Sequence, residues 1–212
     1  MVERRKIIIF DFDGVLNNSF EELFKMHVFC CSQFGREISA LDYSNLFLDA
    51  NFHNNLEKFL ALEPRKLEEF KTLKYSVYND YYSQTKLFDF AKELINKLKL
   101  AGYNNMAIVS SAPKNQIEKI LEINDLRSPF FEILGINKNG KSDVITSLVE
   151  NLNLQPSDCY FITDTVGDVI DGKNARVNVL AVTWGFHDMV KLTAAGPRNV
   201  VVSPQEIFDI LI

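Results

Sequence analysis

The spacing of apolar residues changes along the chain, and this change predicts regions of different structure. The run KIIIF at residues 6–10 contains four consecutive apolar residues and predicts a buried strand. Apolar residues then recur every three or four positions through residues 19–35 and 64–84, which is the spacing of amphipathic helices. Ser19, with Glu22 three residues later, predicts a capped start for the first of these helices.

From residue 86 onward the pattern alternates between strands and helices. The predicted strands are MAIVS, FEILG, CYFIT, VLAVT and NVVVS, and most of them are separated by helical segments. Such alternation is typical of a parallel sheet with helices on both faces. The predicted fold class is therefore α/β, with a mostly parallel sheet flanked by helices in a core of residues 1–16 and 86–212. Residues 17–85 are predicted to form a small all-α domain inserted after the first strand.

The composition is that of an acidic globular protein. The 212 residues can bury a sizeable core, and the formal net charge of -5 argues against a general nucleic-acid-binding protein. The N-terminal apolar run is too short for a signal peptide or a membrane span, which predicts a cytoplasmic protein without a membrane partner. The three cysteines show no CxxC spacing, so buried, reduced thiols are expected. The sequence indicates no oligomeric state.

Two aspartates follow the first predicted strand at its carboxyl end, where ligands bind in open parallel sheets. Residues two apart in an extended chain point to the same side, so Asp11 and Asp13 can face one site. Gly14 then lets the backbone turn sharply. Carboxylates that lie so close repel each other unless one is protonated or a cation neutralises them. The alternative is that the pair only caps a turn after the strand.

A second acidic pair, Asp164 and Asp168, follows the strand CYFIT and opens a predicted helix. Their four-residue spacing places both side chains on one helix face, where like charges are unfavourable. Capping of the helix start accounts for part of this pattern. A hard dication accounts for more of it, because Mg²⁺ prefers oxygen ligands and is usually held by one or two carboxylates and substrate phosphate oxygens.

Segments in this order resemble the motifs of the haloacid dehalogenase-like hydrolase superfamily, particularly its phosphoglycolate phosphatase-like and sugar-phosphatase-like members with a helical cap. DFDGVLNNS resembles the first motif, AIVSSAP the second, and residues 141–186 the third and fourth. Each motif is short, but their order and spacing are specific together. The resemblance spans nearly the whole chain. It implies a Rossmann-like core, a helical cap inserted after the first strand, and hydrolysis of a small phosphorylated metabolite.

The resemblance also implies a catalytic group and a substrate-binding group of residues. The catalytic residues are expected to be Asp11, Asp13, Lys141 and Ser110. The phosphoryl group is expected to bind Ser110 and Lys141, together with backbone N–H groups near Gly14 and Ser111. Asp11 is implied to be the nucleophile that forms an aspartyl phosphate, and Asp13 the general acid and base.

Mg²⁺ is the cofactor that the resemblance implies. Its expected ligands are a carboxylate oxygen of Asp11, the backbone carbonyl of Asp13, and Asp164. Asp168 is expected to act on the metal directly or through water. Thr163 departs from the family pattern, since a glycine usually precedes the fourth-motif aspartate.

Two other functions remain open on the sequence. A phosphosugar mutase of the same superfamily shares every core motif, and a catalytically silent ligand-binding homologue would keep the fold. Asp13 argues against a dehalogenase, because dehalogenases lack the second aspartate. Residues 46–60 contain no arginine that could pair with a substrate carboxylate, which argues against phosphoglycolate as the substrate.

Some aromatic and histidine residues have structural interpretations. The helical spacing of Tyr75, Tyr78, Tyr81 and Tyr82 predicts packing within the insertion. His27 is expected to pack inside its helix. His53 is expected to be a solvated loop residue, and His187 to line the site or lie in a surface loop.

Overall fold

The computed structural model describes residues 6–49, 51–136 and 140–211, and its strands are as follows. They are β1 (Ile7–Phe10), β2 (Asn17–Asn18), β3 (Lys86–Leu87), β4 (Met106–Ser110), β5 (Phe130–Gly135), β6 (Cys159–Thr163), β7 (Asn178–Val182) and β8 (Asn199–Val201). Six of these form one parallel sheet in the order β5-β4-β1-β6-β7-β8. The predicted α/β class with a parallel sheet is confirmed.

Helices surround this sheet and fill the inserted region. They are α1 (Phe20–Gln33), α2 (Ala40–Asn45), α3 (Phe52–Leu60), α4 (Pro64–Tyr82), α5 (Ala91–Leu100), α6 (Lys114–Ile123), α7 (Gly140–Asn151), α8 (Val166–Asn174), α9 (Met189–Ala195) and α10 (Pro204–Leu211). Within the described part of the chain, no helix combines the length and the apolar character that crossing a membrane requires.

The central strand β1 is buried on both of its faces. Ile8 and Phe10 belong to one hydrophobic cluster, whereas Ile7 and Ile9 belong to another on the opposite side of the sheet. A parallel strand covered by helices on both faces needs apolar residues at every position, which explains the unbroken run in the sequence. The rigid strand therefore ends in the middle of the sheet, between β4 and β6, directly before the first aspartate.

The helical insertion, α1 to α4, begins and ends at a short antiparallel ribbon. Asn17 of β2 pairs with Leu87 of β3, and Asn18 pairs with Lys86. Two-residue strands carry no periodicity, so the sequence gives no sign of this ribbon. The domain division at residues 16/17 and 85/86 stays a prediction, and both proposed boundaries fall at the ribbon.

One local expectation was wrong, and one helix was missed. Ser19 occupies the N-cap position of α1, but its side chain makes no capping hydrogen bond, so the expected capping box with Glu22 does not form. Helix α9 was not predicted; it begins after Asp188, whose side chain accepts a hydrogen bond from the backbone N–H of Lys191. The cysteines Cys30, Cys31 and Cys159 are buried and unpaired, as expected.

Candidate active site

Three carboxylates meet at the carboxyl edge of the sheet. Oxygen atoms of Asp11, Asp164 and Asp168 all lie within 4.8 Å of one another. Because β1 and β6 are neighbours, with Phe10 paired to Ile162, the residues that follow them lie side by side. Asp168 joins them from the first turn of α8, which begins directly after β6. The structure thus brings together Asp11, Asp164 and Asp168, the three residues whose side chains were expected to act on the metal.

Lys141 lies between two of these carboxylates. Its amine is 2.8 Å from Oδ2 of Asp11 and 2.6 Å from Oδ2 of Asp168, and its side chain is buried. Burial alone would lower the pKa of Lys141, but the two carboxylates outweigh it and raise that pKa. With all three carboxyl groups ionised, the cluster and the ammonium would together carry two negative charges, which a divalent cation would neutralise.

Asp164 has one satisfied and one unsatisfied oxygen. Its Oδ2 accepts a hydrogen bond of 2.7 Å from the backbone N–H of Phe186, whereas its buried Oδ1 has no hydrogen-bond partner in the part of the chain that the structure describes. Burial raises the pKa of Asp164 to about 7 despite that hydrogen bond. An unpartnered carboxylate oxygen beside two other carboxylates suits a hard cation, so the donor set fits Mg²⁺.

Two glycines make room for the Asp164 carboxylate. A Cβ on Gly14 would lie 1.9 Å from Oδ2 of Asp164, and a Cβ on Gly185 would lie 2.2 Å from the same atom. Gly14 also has a φ of +76°, and its N–H donates to the carbonyl of Asn17 at 2.8 Å. That N–H is therefore already hydrogen-bonded within the loop. What Gly14 provides in this structure is the space that the Asp164 carboxylate occupies. Phosphate binding near Gly14 stays a prediction.

Asp13 lies outside the three-carboxylate cluster and faces neutral donors. The Asn17 side-chain amide donates to Oδ1 of Asp13 at 2.9 Å, and the Tyr82 hydroxyl is 3.2 Å from each carboxylate oxygen. Burial raises the pKa of Asp13, while these hydrogen bonds oppose the rise. The two aspartates of the first motif therefore have unlike surroundings although one residue separates them.

The serines after β4 occupy the neighbouring strand end. Ser110 is buried, and its hydroxyl oxygen accepts a hydrogen bond of 3.3 Å from the backbone N–H of Ala112, whereas Ser111 is exposed. No hydrogen bond joins either serine to the carboxylates among the residues that the structure describes. Their roles in binding a phosphoryl group stay predictions, which the position of β4 beside β1 supports.

The sequence matches the model of one protein family over most of its length. The model of the haloacid dehalogenase-like hydrolases matches residues 8–182. The chain belongs to the haloacid dehalogenase-like hydrolase family.

Relatives and solved structures of the same family cover almost the whole chain. A phosphoglycolate phosphatase of Vibrio vulnificus is 24% identical over 98% of this chain and 96% of its own length. Pyrophosphatase PpaX of Bacillus cereus is 22% identical over 98% of this chain and 97% of its own length. A crystal structure of a predicted phosphatase from Clostridium acetobutylicum is 25% identical, covers 99% of both chains and superposes with a TM-score of 0.80.

Thr163, which departs from the pattern of the haloacid dehalogenase-like hydrolases, contacts a residue of the carboxylate cluster. The Thr163 hydroxyl donates a hydrogen bond of 2.8 Å to Oδ2 of Asp168, the oxygen that also receives the Lys141 amine. Burial would raise the pKa of Asp168, but Lys141 and the hydrogen bonds prevail and lower it. A glycine at position 163 would lack this donor, so Thr163 adds a hydrogen bond that holds Asp168 ionised and oriented.

His187 joins the insertion to the core beside the site, which sequence reasoning left undecided. Its ring is buried; Nδ1 accepts a hydrogen bond of 2.9 Å from the N–H of Val166, and Nε2 therefore donates to the carbonyl of Ser44 at 2.9 Å. A second bond runs from the N–H of Gly167 to the carbonyl of Phe47. The start of α8, which carries Asp168, is thus tied to the end of α2 and to the residues that follow it. His187 and Ser44 lie 143 residues apart in the sequence, so no local sequence pattern predicts this hydrogen bond.

Aromatic rings fill the same junction. Phe186 lies in edge contact with Phe20 at 5.0 Å and with Phe47 at 5.1 Å between ring centroids. The residue whose N–H holds Asp164 is therefore packed against the insertion on its other side.

The remaining aromatic and histidine expectations had mixed outcomes. Tyr82 is fully buried, but Tyr75 is 71% exposed, so the expectation of packing was wrong for Tyr75. His27 is buried within α1, as expected. His53 is exposed, as expected, but it lies in α3 and not in a loop.

Proposed function

We propose that the chain is a Mg²⁺-dependent phosphatase that hydrolyses the phosphate monoester of a small metabolite. The observation that carries the proposal is the difference between Asp11 and Asp13. Asp11 is paired with Lys141 at the edge of a carboxylate cluster, whereas Asp13 is held by neutral donors from Asn17 and Tyr82. Burial raises the pKa of both aspartates; the Lys141 ammonium opposes the rise at Asp11, whereas mainly the neutral donors oppose it at Asp13. A nucleophile must be ionised, which the nearby cation favours at Asp11, and a general acid must retain its proton, which burial favours at Asp13.

In the first step a carboxylate oxygen of Asp11 attacks phosphorus. The new O–P bond forms while the bond between phosphorus and the leaving oxygen breaks. The proton of Asp13 passes to the leaving oxygen, so the product departs as a neutral alcohol and Asp13 is left as a carboxylate. Lys141, 2.8 Å from Asp11, is placed to attract the oxygens of the transferring group.

In the second step water attacks the phosphorus of the aspartyl phosphate. Asp13 takes a proton from that water as the bond between phosphorus and Asp11 breaks. Inorganic phosphate leaves, Asp11 is again a carboxylate, and Asp13 again carries its proton. Dividing the displacement in this way replaces one difficult step by two easier ones.

The metal would be held by carboxylate oxygens of Asp11 and Asp164 and by the backbone carbonyl of Asp13, with Asp168 as direct ligand or through water. When bound, Mg²⁺ supplies positive charge against the phosphoryl oxygens. The unpartnered Oδ1 of Asp164 supports this assignment.

The helical insertion acts as a cap over the site in this proposal. The hydrogen bonds of His187 with Ser44 and of Gly167 with Phe47 hold the insertion against the core beside the carboxylates. A cap in contact with the site excludes bulk water and brings groups such as the Tyr82 hydroxyl to the reaction centre.

The substrate class is a small phosphorylated metabolite, and the relatives name two candidates to test. The Vibrio vulnificus relative is a phosphoglycolate phosphatase and the Bacillus cereus relative a pyrophosphatase. The absence of arginine from residues 46–60 weighs against phosphoglycolate. Phosphate release should be measured with phosphoglycolate, pyrophosphate and a panel of sugar phosphates. Interconversion of hexose phosphates without phosphate release would favour the mutase instead.

The decisive test of the reaction type compares the wild type with Asp11→Asn on para-nitrophenyl phosphate. We expect hydrolysis by the wild type that requires Mg²⁺, stops with a chelator and is abolished in Asp11→Asn. Asp89→Asn, the same change at an exposed aspartate, is the matched control and should leave the rate unchanged. Full activity of Asp11→Asn, or no wild-type turnover with any divalent metal, would refute the proposal.

A further inference from the structure

We infer that Tyr82 is a positioning residue for the carboxyl group of Asp13 that transfers the proton. The inference rests on the proposed function, because it takes Asp13 to be the proton donor to the leaving group. Tyr82 is the last residue of α4, and its side chain is fully buried. Its hydroxyl lies 3.2 Å from Oδ1 and 3.2 Å from Oδ2 of Asp13. One hydroxyl is thus shared evenly between both oxygens of the carboxyl group.

The groups that hold Asp13 come from the two chain segments that enter and leave the insertion. Asn17 of β2 donates its amide to Oδ1 of Asp13 at 2.9 Å and to the hydroxyl of Thr85 at 3.1 Å. The Thr85 hydroxyl in turn donates to the backbone carbonyl of Tyr82 at 2.9 Å. Asn17, Thr85 and Tyr82 therefore form one connected network whose two ends both reach Asp13.

The Tyr82 hydroxyl supplies the part of the geometry that Asn17 cannot supply alone. The torsion that turns a carboxyl group about its last bond is soft, so a single hydrogen bond to Oδ1 leaves Oδ2 free to rotate. A hydroxyl placed against both oxygens fixes the plane of the group. Proton transfer requires an oxygen within hydrogen-bond reach of the leaving atom, so a rotated carboxyl group is a poorer acid even though it is still present.

A structural role and a positioning role predict different dependence on the leaving group. para-Nitrophenolate departs readily without a proton, whereas a benzyl alkoxide is strongly basic and needs one in the transition state. The constant kcat/KM covers the steps up to departure of the leaving group, which is where Asp13 acts as the acid. Loss of the Tyr82 hydroxyl should therefore lower kcat/KM for benzyl phosphate far more than for para-nitrophenyl phosphate.

The experiment compares these two substrates with the full chain and Mg²⁺, using the wild type, Tyr82→Phe and Tyr78→Phe. Tyr78 is the matched control, because its ring stacks on Tyr82 at 5.1 Å and its hydroxyl makes no hydrogen bond within the described residues. The measured quantity is the ratio of kcat/KM for benzyl phosphate to kcat/KM for para-nitrophenyl phosphate. A smaller folded fraction cancels in this ratio, so partial misfolding of a variant cannot imitate the effect.

In Tyr82→Phe we expect the ratio to fall about tenfold, the worth of one hydrogen bond. Tyr78→Phe should keep the wild-type ratio, and Asp13→Asn should lower it at least as much as Tyr82→Phe does. An unchanged ratio in Tyr82→Phe, an equal fall in Tyr78→Phe, or an unchanged ratio in Asp13→Asn would overturn the inference. Absence of wild-type turnover on both substrates would overturn the proposed function, and the inference with it.

Discussion

His27 should make the stability of this protein depend on pH in a way that one substitution removes. Its Nδ1 lies 2.8 Å from the carbonyl of Leu23, to which it donates, and its buried Nε2 has no hydrogen-bond partner among the described residues. The ring is therefore neutral, and a proton added at Nε2 would find no acceptor. Burial lowers the pKa of His27 from 6.5 to about 4.

The sign follows from where the proton binds. Between these two pKa values the unfolded chain binds a proton at His27 and the folded chain does not, so stability falls as the pH falls through this window. The contribution is fully present above pH 6.5 and fully lost below about pH 4. Between about pH 7.5 and about pH 5 the loss amounts to about 2 kcal/mol in the free energy of unfolding.

The assay is urea denaturation of the wild type and of His27→Phe at both pH values. Phenylalanine keeps an aromatic ring against Tyr43, whose centroid is 4.8 Å from that of His27, but cannot titrate. The stability difference between the two proteins should shift by about 2 kcal/mol in favour of the variant on going to about pH 5. Taking this difference cancels the contributions of the buried carboxyl groups. An unchanged difference, with equal denaturant slopes, would refute the buried, unpartnered state of the Nε2 atom.

Two further predictions concern the carboxylate cluster. Thr163→Val removes the hydroxyl that donates to Asp168 at nearly constant volume, and kcat/KM for para-nitrophenyl phosphate at saturating Mg²⁺ should fall about tenfold; an unaltered kcat/KM would mean that this bond is dispensable. Gly185→Ala places a Cβ where the Asp164 carboxylate lies, and the Mg²⁺ concentration for half-maximal activity should rise at least about tenfold. Gly135→Ala is the control, because its added Cβ meets no atom of the described residues within 4 Å, and an equal rise there would contradict the steric argument.

The parts of the fold and site that the sequence predicted are those encoded locally. The unbroken apolar run before Asp11 marks a strand buried on both faces, and the side chains at its carboxyl end share that edge with those after β4 and β6. The parallel topology alone therefore predicted that Asp11 and Asp164 share one edge of the sheet, whereas their adjacency depends on the order of strands that places β1 beside β6.

The missed features depend on contacts between distant residues. Tyr82 reaches Asp13 across 69 residues, and its helical spacing with Tyr78 predicted only packing. His187 follows a strand end, which hinted at the site, but its bond to Ser44 depends on how the insertion folds back. Gly185 lies two residues after the predicted strand VLAVT, and a glycine at that place is only a weak indication of a functional site. The need for it became visible only when Asp164 was placed against it.

The order of the strands also bears on how this scaffold can vary. Strands β4, β1 and β6, which lead to Ser110, Asp11 and Asp164, are neighbours in the sheet, and β5, β7 and β8 lie outside them. Two of the outer strands still lead to the site through the residues that follow them, because Lys141 opens α7 after β5 and Phe186 follows β7, whereas none of the site residues named above follows β8. Insertions and replacements after β8 therefore leave the spacing of the reacting groups intact, and selection can alter that edge of the protein without rebuilding its centre.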